Sequence, residues 1–287
     1  MELQEPGQVR VQIGRITDHE RRQVLHTNEP RGRMRSVMIR ERSRTRRAIA
    51  VLPIVVAFFT TGAAAAERPD YVPKGFLLQW QADFTDKNVL EEFDFTDAGA
   101  WRLSMAKGKP ALELSRNSRY QYKVRSPSSI AWLATRKFGD FVLEAELLQT
   151  GREYGHRDLC VFFGFQDPGH YYYAHFASKT DREANQVFIV NEKPFTKISR
   201  KTTEGSKWGQ DKWHYVRVQR IGERISVWFD DKAAPVMLAE DKSFGAGHIG
   251  FGSYNDAGMF TNVRIWAPPP GKVERKRNLF TREPKAR

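Results

Sequence analysis

The sequence is poor in cysteine, since Cys160 is the one cysteine among 287 residues. A single cysteine excludes a disulfide framework within the chain. It lies in the apolar run 159–165. A catalytic thiolate needs an exposed, electropositive setting, so we predict a packed thiol. The sequence also lacks a phosphate-binding glycine loop, a G-x-S-x-G turn and a C-x-x-C pair. The enzyme and nucleotide-binding classes that depend on those motifs are therefore not indicated.

Lysine is absent from residues 1–66, which hold twelve arginines and six acidic residues and carry +6. Residues 268–287 hold seven basic and two acidic residues and carry +5, so +2 of the total of +13 remains for residues 67–267. A nucleic-acid-binding domain shows a basic stripe on its folded body. The charge pattern instead predicts a near-neutral domain with basic ends and no nucleic-acid partner.

Long hydrophobic runs are also missing. The longest, residues 48–59, is short for a membrane span, which needs about 20 residues. It follows the basic stretch 38–47 and precedes Ala64-Ala65-Ala66, the order of a cleavable signal peptide. An uncleaved anchor is the weaker alternative, and residues 45–49 faintly resemble a twin-arginine signal. We expect a secreted or periplasmic protein with no membrane span in the mature chain.

The signal divides the chain into four parts. Residues 1–37 are a doubtful or disordered extension, 38–66 the signal peptide, 67–267 a folded domain and 268–287 a basic disordered tail. Helical periodicity is almost absent from the folded domain, whereas short alternating runs separated by Gly, Pro, Asp and Asn recur throughout. This pattern predicts an all-β, two-sheet antiparallel jelly-roll sandwich. The predicted strands are 76–84, 101–105, 111–115, 130–135, 141–148, 158–166, 171–177, 186–191, 196–200, 213–220, 224–230, 247–253 and 261–266.

The hairpin 158–177 has two chemically different faces. A four-residue loop at 167–170 would place Gln166 opposite Tyr171 and Phe162 opposite His175. One face would then be apolar, with Leu159, Val161, Phe163, Phe165, Tyr172, Ala174 and Phe176. The other would mix aromatic and polar groups around a glycine, with Asp158, Cys160, Phe162, Gly164, Gln166, Tyr171, Tyr173 and His175. A sugar ring needs an aromatic plate and planar polar groups, so we predict the mixed face as a glycan site.

Four further residues are candidates for the rim of that site. Asn185 and Asn191 flank the strand that follows the hairpin, and Lys197 comes on the next strand. Arg125 precedes the strand at residue 130 and either grips a ligand or caps a loop. Solvent-facing positions are the alternative for the charged members of this set.

Three short motifs resemble known β-sandwich domains. Residues 138–144 (FGDFVLE) resemble a strand of the 3-keto-disaccharide hydrolase-type domain, a secreted bacterial relative of the concanavalin A-like lectins and glucanases. Residues 213–218 (WHYVRV) resemble a strand of laminin G-like domains, and residues 247–265 resemble the closing strand pair that these domains share. The resemblance covers residues 76–267 and implies a concanavalin A-like sandwich. That superfamily holds enzymes, lectins and adhesion modules, so the resemblance implies no single activity.

An enzymatic alternative rests on carboxylates. The superfamily's retaining glucanases carry three acidic residues on one strand face, and the nearest match here is Glu144 and Glu146, with the third missing. Asp158 and His175 are the other acid/base candidates. A solvent-facing strand edge is the simpler interpretation of Glu144 and Glu146.

We predict no metal and no cofactor. His156, Asp158 and His175 are suitable ligand types, but the expected register separates Asp158 from His175 by about 13 Å. Asp230-Asp231 and Asn255-Asp256 could bind calcium as in some laminin G-like domains, yet tight turns need the same residue types.

The sequence therefore favours an exported protein that binds a glycan on one sheet face. A glycoside hydrolase and a non-catalytic structural or adhesion domain are the alternatives. The oligomeric state stays open.

The basic, apolar and alanine-rich order of residues 38–66 generates a prediction about processing. When the protein is expressed in its host, the mature chain should begin at or near Glu67. N-terminal sequencing of the purified protein tests this, and a mature chain that starts at Met1 or Met34 would contradict it.

Overall fold

The structure is a computed structural model and describes residues 67–231 and 233–269. The predicted N-terminal extension, the signal peptide and the basic tail after residue 269 lie outside the described residues. Within the described ranges no helix is long and apolar enough to cross a membrane. The strands are β1 (Leu77–Ala82), β2 (Phe93–Phe95), β3 (Trp101–Ala106), β4 (Lys109–Leu114), β5 (Ser129–Leu133), β6 (Phe141–Gln149), β7 (Asp158–Asp167), β8 (His170–Ala177), β9 (Val187–Asn191), β10 (Thr196–Lys197), β11 (Ser199–Lys201), β12 (Trp213–Ile221), β13 (Arg224–Phe229), β14 (Met237–Glu240), β15 (His248–Ser253) and β16 (Gly258–Ala267).

The strands form two antiparallel sheets within the described residues, which confirms the predicted fold class. The first sheet has nine strands in the order β11-β14-β13-β12-β6-β16-β4-β3, with β1 also paired to β16. The second has seven strands in the order β10-β9-β8-β7-β15-β5-β2. Two short 3₁₀ turns, Lys87–Glu92 and Ala98–Ala100, lie in the connections.

The core lies between the sheets and follows from period-two alternation. On β6 the side chains of Phe141, Leu143, Ala145 and Leu147 point inward, and all are buried. On β7 the inward residues are Leu159, Val161 and Phe163, and Phe141 meets Phe163 edge to face at 5.7 Å. Burying each large apolar side chain contributes about 1.5–3 kcal/mol before the loss of chain entropy is counted.

The hairpin register differs from the prediction by two residues. The structure pairs Phe162 with Tyr173 and Cys160 with His175, whereas the sequence-based register paired Phe162 with His175. The reason is a bulge in β7 between Phe163 and Asp167, where Gly164 has a φ of +64°. A two-residue shift keeps each residue before the bulge on its predicted face.

Beyond the bulge the alternation breaks. Phe165 was predicted for the central core but packs on the outer side of the second sheet, 4.1 Å from Trp132 between ring centroids. It belongs to a second buried group, here called the outer aromatic cluster: Ile130, Trp132, Cys160, Phe162, Phe165, Tyr171, Tyr173, Phe188 and Val190.

The outer aromatic cluster is covered by chain. Val124 and Phe195 pack against it, and the backbone N–H of Phe195 donates to the carbonyl of Arg125 at 3.1 Å. Tyr171 and Tyr173 are consequently 2% and 1% exposed. The predicted mixed face is therefore not an open aromatic plate, because the segment before β5 and the loop after β9 cover it.

The set of predicted strands also changes. The predicted strand 196–200 is two strands in different sheets: β10 pairs with β9, and β11 pairs with β14. The short strands β2 and β14 were not predicted, because three or four residues are too few to show an alternating pattern.

The bulge at Gly164 generates a stability prediction. An alanine there would adopt a positive φ, and its Cβ would lie 2.8 Å from Cδ2 of Tyr172. Urea denaturation should show Gly164→Ala losing about 2–4 kcal/mol through backbone strain and overpacking.

Gly222→Ala is the matched control. Gly222 has a φ of +58° and no atom within 4 Å of an added Cβ, so strain alone should cost about 1–2 kcal/mol. An equal loss in the two variants would show that the contact with Tyr172 contributes nothing.

Candidate functional site

A groove forms where β16 changes its partner. Along one edge β16 pairs with β6. Along the other edge its first residues, Gly258 to Phe260, pair with β4, and Val263 to Ala267 pair with β1. Both β1 and β4 leave the ladder around Thr261 and Asn262, and Asn262 has a φ of +48°. The parting of these two strands opens the first sheet at this point.

The groove has a volume of about 660 Å³. Carboxylate, amide and phenol groups from four strands and from the loop 83–92 form much of its lining. The lining residues are Gln81, Ala82, Asp83, Phe84, Asp86, Asn88, Val89, Glu92, Glu144, Ala145, Glu146, Tyr215, Asn262, Val263 and Arg264.

Glu144 lies in the groove with 2% of its surface exposed. Its Oε1 accepts hydrogen bonds from the hydroxyl groups of Tyr215, at 2.7 Å, and of Tyr71. Burial, followed by the hydrogen bond to Glu144, raises the pKa of Tyr71 to about 12, and the same causes raise the pKa of Tyr215. Both phenols therefore stay protonated and act as donors at neutral pH. Oε2 lies 3.4 Å from a guanidinium nitrogen of Arg264 and accepts no hydrogen bond.

Glu146 is the second predicted carboxylate in the groove. Strand alternation places it on the same face as Glu144, as expected. It forms an ion pair with Lys109, and the side-chain amide of Asn262 donates to its Oε2 at 3.1 Å. Its side chain is 28% exposed, so it forms part of the accessible wall.

A second, smaller cavity lies at the end of β7. Its volume is about 160 Å³, and its lining brings together the predicted residues Arg125, Asp158 and His175. Arg125 forms an ion pair with Glu183 at 3.0 Å and contacts the Phe195 ring. Asp158 and His175 lie 3.3 Å apart and are buried. The 13 Å separation predicted from the earlier register was therefore wrong, because the bulge shifts β8 by two residues.

The hydrogen bond at Nδ1 assigns the tautomer of a neutral His175 ring. Its Nδ1 accepts the backbone N–H of Asn185 at 3.2 Å, so in the neutral ring Nε2 carries the proton and faces Asp158. Ligand atoms of Asp158, Cys160 and His175 lie within 4.8 Å of one another. Binding of a metal at Nε2 would require the release of this proton and the loss of the hydrogen bond at Nδ1. The trio is thus a hydrogen-bonded cluster.

The thiol of Cys160 belongs to the same cluster. It is free and buried, and its sulfur lies 3.3 Å from Oδ2 of Asp158. Burial, followed by the charge of Asp158, raises the pKa of the thiol well above its usual value. Cys160 is a packed, protonated thiol, as the sequence predicted.

Asp158 and Asp256 form a close pair of carboxyl groups. Burial opposes the ionisation of Asp158, but His175 and the backbone N–H of Tyr254 outweigh it and lower its pKa. Oδ2 of Asp256 accepts the hydroxyl of Tyr154 at 2.6 Å and the backbone N–H of Asp158 at 3.1 Å. Burial, and then the charge of Asp158, raise the pKa of Asp256 to about 6.

The remaining predicted site residues are scattered. Gln166 is exposed and donates to the carbonyls of Gly164 and Ala246. Asn185 is buried and joins the connections 178–186 and 202–212 through Thr180, Thr203 and Ser206. Asn191 and Lys197 are exposed on β9 and β10. These four residues do not line either cavity.

The carboxylates at the two positions considered for calcium, Asp230-Asp231 and Asn255-Asp256, have hydrogen-bond partners within the described chain. Oδ1 of Asp230 accepts the backbone N–H of Tyr215 at 3.1 Å, and Oδ1 of Asp231 accepts that of Ala233 at 2.8 Å. Asp256 has the partners described above.

Sequence reasoning missed most of the groove. The polar segment after β1 has the composition of an ordinary loop, and it contains Asp83, Asp86, Asn88 and Glu92. On β16 the polar residues Asn262 and Arg264 alternate with apolar ones, as on any strand with one solvent-facing side. The available signal was the pair Glu144 and Glu146, polar positions on a strand that is otherwise apolar on both sides.

No family model and no curated protein matches the sequence. The fold is similar to that of solved structures of low sequence identity, among them three bacterial proteins. A carbohydrate-binding module, CBM66, from Bacillus subtilis is 16% identical over 60% of this chain and 93% of the module, with a TM-score of 0.43. A protein of unknown function with a galectin-like fold from Bacillus subtilis is 8% identical over 67% of this chain and 97% of its own, with a TM-score of 0.45.

The third is the GH43 protein BlXynB from Bacillus licheniformis, which is 12% identical over 70% of this chain and 40% of its own, with a TM-score of 0.46. The three TM-scores lie below 0.5, so the likeness assigns this chain neither a family nor a ligand.

The raised pKa of Asp256 generates a prediction about pH and stability. Its folded pKa exceeds the unfolded value of about 3.9. The protonated form is therefore favoured by folding, and the contribution of Asp256 to the free energy of unfolding falls as the pH rises from 4 through 6. The full difference corresponds to about 3 kcal/mol, which solvent screening reduces to about 1–2 kcal/mol.

Asp256→Asn removes the titration and keeps an acceptor for Tyr154. Urea denaturation should show the variant to be more stable than the parent by about 1–2 kcal/mol at pH 8 and nearly equal to it at pH 4. If the free energies of unfolding of the two proteins differ by a constant amount from pH 4 to pH 8, the raised pKa of Asp256 is contradicted.

Proposed function

We propose that this protein binds a glycan in the groove beside β6 and β16. The observation that carries the proposal is a cavity of about 660 Å³ with amide, carboxylate, guanidinium and phenol groups in its lining. The volume falls in the range of about 300–1,000 Å³ that is typical of small-ligand clefts. The sequence predicted a glycan site on the hairpin of the second sheet. The proposal is again a glycan site on a sheet face, but on the first sheet.

The lining chemistry suits hydroxyl-rich ligands. The side-chain amides of Gln81, Asn88 and Asn262 each offer donors and an acceptor, and Asp86 offers acceptors alone. Gln81, Asn88 and Asn262 are exposed at the groove surface, so they can exchange water for sugar hydroxyls. Such exchange gives modest energies per contact and favours recognition through several contacts at once.

The state of the carboxylates favours binding over cleavage. A glycosidase needs one carboxyl group that carries a proton for the leaving oxygen. Glu144 instead accepts hydrogen bonds from two phenols, and Glu146 is paired with Lys109 and Asn262. Both are held as acceptors.

We also propose that the protein acts outside the cytoplasm. The support is the order of basic, apolar and small residues in 38–66, which is typical of a signal peptide.

A glycan array followed by calorimetric titration tests the function. In Gln81→Ala the loss of an amide in the groove should weaken binding of any array hit by about 0.5–1.5 kcal/mol, or roughly 2- to 10-fold. Gln166→Ala is the matched control, since it removes an exposed amide from the hairpin on the other sheet. It should leave the affinity unchanged.

Two outcomes would contradict the proposal. If Gln166→Ala weakens binding and Gln81→Ala does not, the glycan site lies at the hairpin. If the array gives no hit with the folded protein, glycan binding is wrong and a structural or adhesion role is favoured.

A further inference from the structure

The lining of the groove has more acidic than basic side chains. Asp83, Asp86, Glu92, Glu144 and Glu146 contribute carboxylates to its lining, whereas Arg264 alone among the described lining residues is basic. Lys109 stands behind Glu146 as its ion-pair partner. The cleft therefore holds a surplus of negative charge even though the folded domain as a whole is nearly neutral.

Three of these carboxylates are held by neutral donors. Asp83 accepts the backbone N–H and the hydroxyl of Thr85, and these hydrogen bonds lower its pKa. Asp86 accepts the backbone N–H of Asn88 at 2.9 Å, and Glu92 accepts the hydroxyl of Thr135 at 3.0 Å. Within the described part of the chain none of the three has an ion-pair partner. Their charge is available to a ligand.

Glu144 supplies an independent observation. It lines the groove and is 98% buried, and its Oε2 accepts no hydrogen bond, while a guanidinium nitrogen of Arg264 lies 3.4 Å from that oxygen. A buried carboxylate oxygen without a donor is costly, so such an oxygen is commonly completed by a ligand or by water. A neutral hydroxyl could donate to it, but a cationic donor would also balance the charge.

We propose that the ligand of this groove is an amine-bearing glycan, whose free ammonium groups meet Glu144 and the unpaired carboxylates of the loop 83–92. This inference rests on the proposed glycan binding and names the ligand class of the same site. An ammonium group offers three donors and a positive charge, whereas Arg264 is the one cation among the described lining residues. An N-acetylated sugar of the same shape loses the charge, and a glycan that carries carboxylates or sulfates meets repulsion.

The test uses a β-1,4-linked glucosamine hexamer and its fully N-acetylated counterpart as probes. Isothermal titration is carried out with EDTA at low and at high sodium chloride concentration. The glucosamine oligomer should bind at least 10-fold more tightly than the acetylated one. Its affinity should fall with salt, because exposed charge pairs are screened.

Single substitutions test which carboxylates cause the preference for the free amine over the N-acetylated sugar. Glu144→Gln keeps an acceptor for the two phenols but removes the charge, and it should reduce the preference for the free amine by at least 5-fold. Asp86→Asn, on an exposed loop position, should reduce it about 2- to 3-fold. Glu223→Gln is the matched control, because it removes one exposed carboxylate outside the groove and should leave the preference intact. Thermal melting of each variant confirms that it is folded.

The outcomes separate this inference from the proposed function. If both oligomers bind equally and Glu144→Gln changes nothing, the amine preference is wrong and glycan binding stands. If only neutral glycans of the array bind, the amine preference is also wrong, and the proposal of glycan binding stands. If calcium chloride alone binds without EDTA and Glu144→Gln abolishes that binding, the carboxylates form a cation site and the inference is overturned. If no glycan of any charge binds, the proposed function itself fails.

Discussion

The antiparallel pairing of β6 with β16 is the interaction on which the rest of this structure depends. Residues 142–149 of β6 lie against 258–266 of β16 in the middle of the nine-stranded sheet. Strand alternation sends Leu143, Ala145 and Leu147 into the core and leaves Glu144 and Glu146 on the opposite side. One ladder therefore closes the hydrophobic interior and also builds the floor of the groove.

The same ladder explains why the groove is where it is. Because β16 is longer than either neighbour on its far edge, β4 and β1 share that edge and part near Asn262. Thr261 holds the gap open at a defined width, since its hydroxyl donates to the carbonyl of Pro110 at 2.6 Å and lies 3.4 Å from that of Asp83. The groove is thus a consequence of strand lengths and of one bulge in β16 between Thr261 and Arg264.

The second sheet differs from the first because the outer face of its central strands is buried as well as the inner face. Its inner face meets the core, and its outer face forms the aromatic cluster under the chain around Val124 and Phe195. Tyr173 stacks on Phe188 with ring centroids 5.0 Å apart, which is a packing contact. Covering this face leaves Asp158, Asp256 and His175 in a nearly dry place, where each carboxyl and ring nitrogen needs an assigned partner.

The sequence by itself determined the all-β class, most of the strands and the packed state of Cys160. Alternation, turn residues and an apolar run are local signals, so no distant contact is needed to interpret them. It also identified Glu144, Glu146, Asp158 and His175 as notable. The tertiary structure decided which of these are accessible. Whether Tyr173 is a stacking plate or a core residue depends on what covers it, and the covering residues Val124 and Phe195 lie on other parts of the chain, before and after the hairpin. Whether Glu144 meets Arg264, Tyr71 and Tyr215 depends on strand order, which alternation along a single strand does not encode.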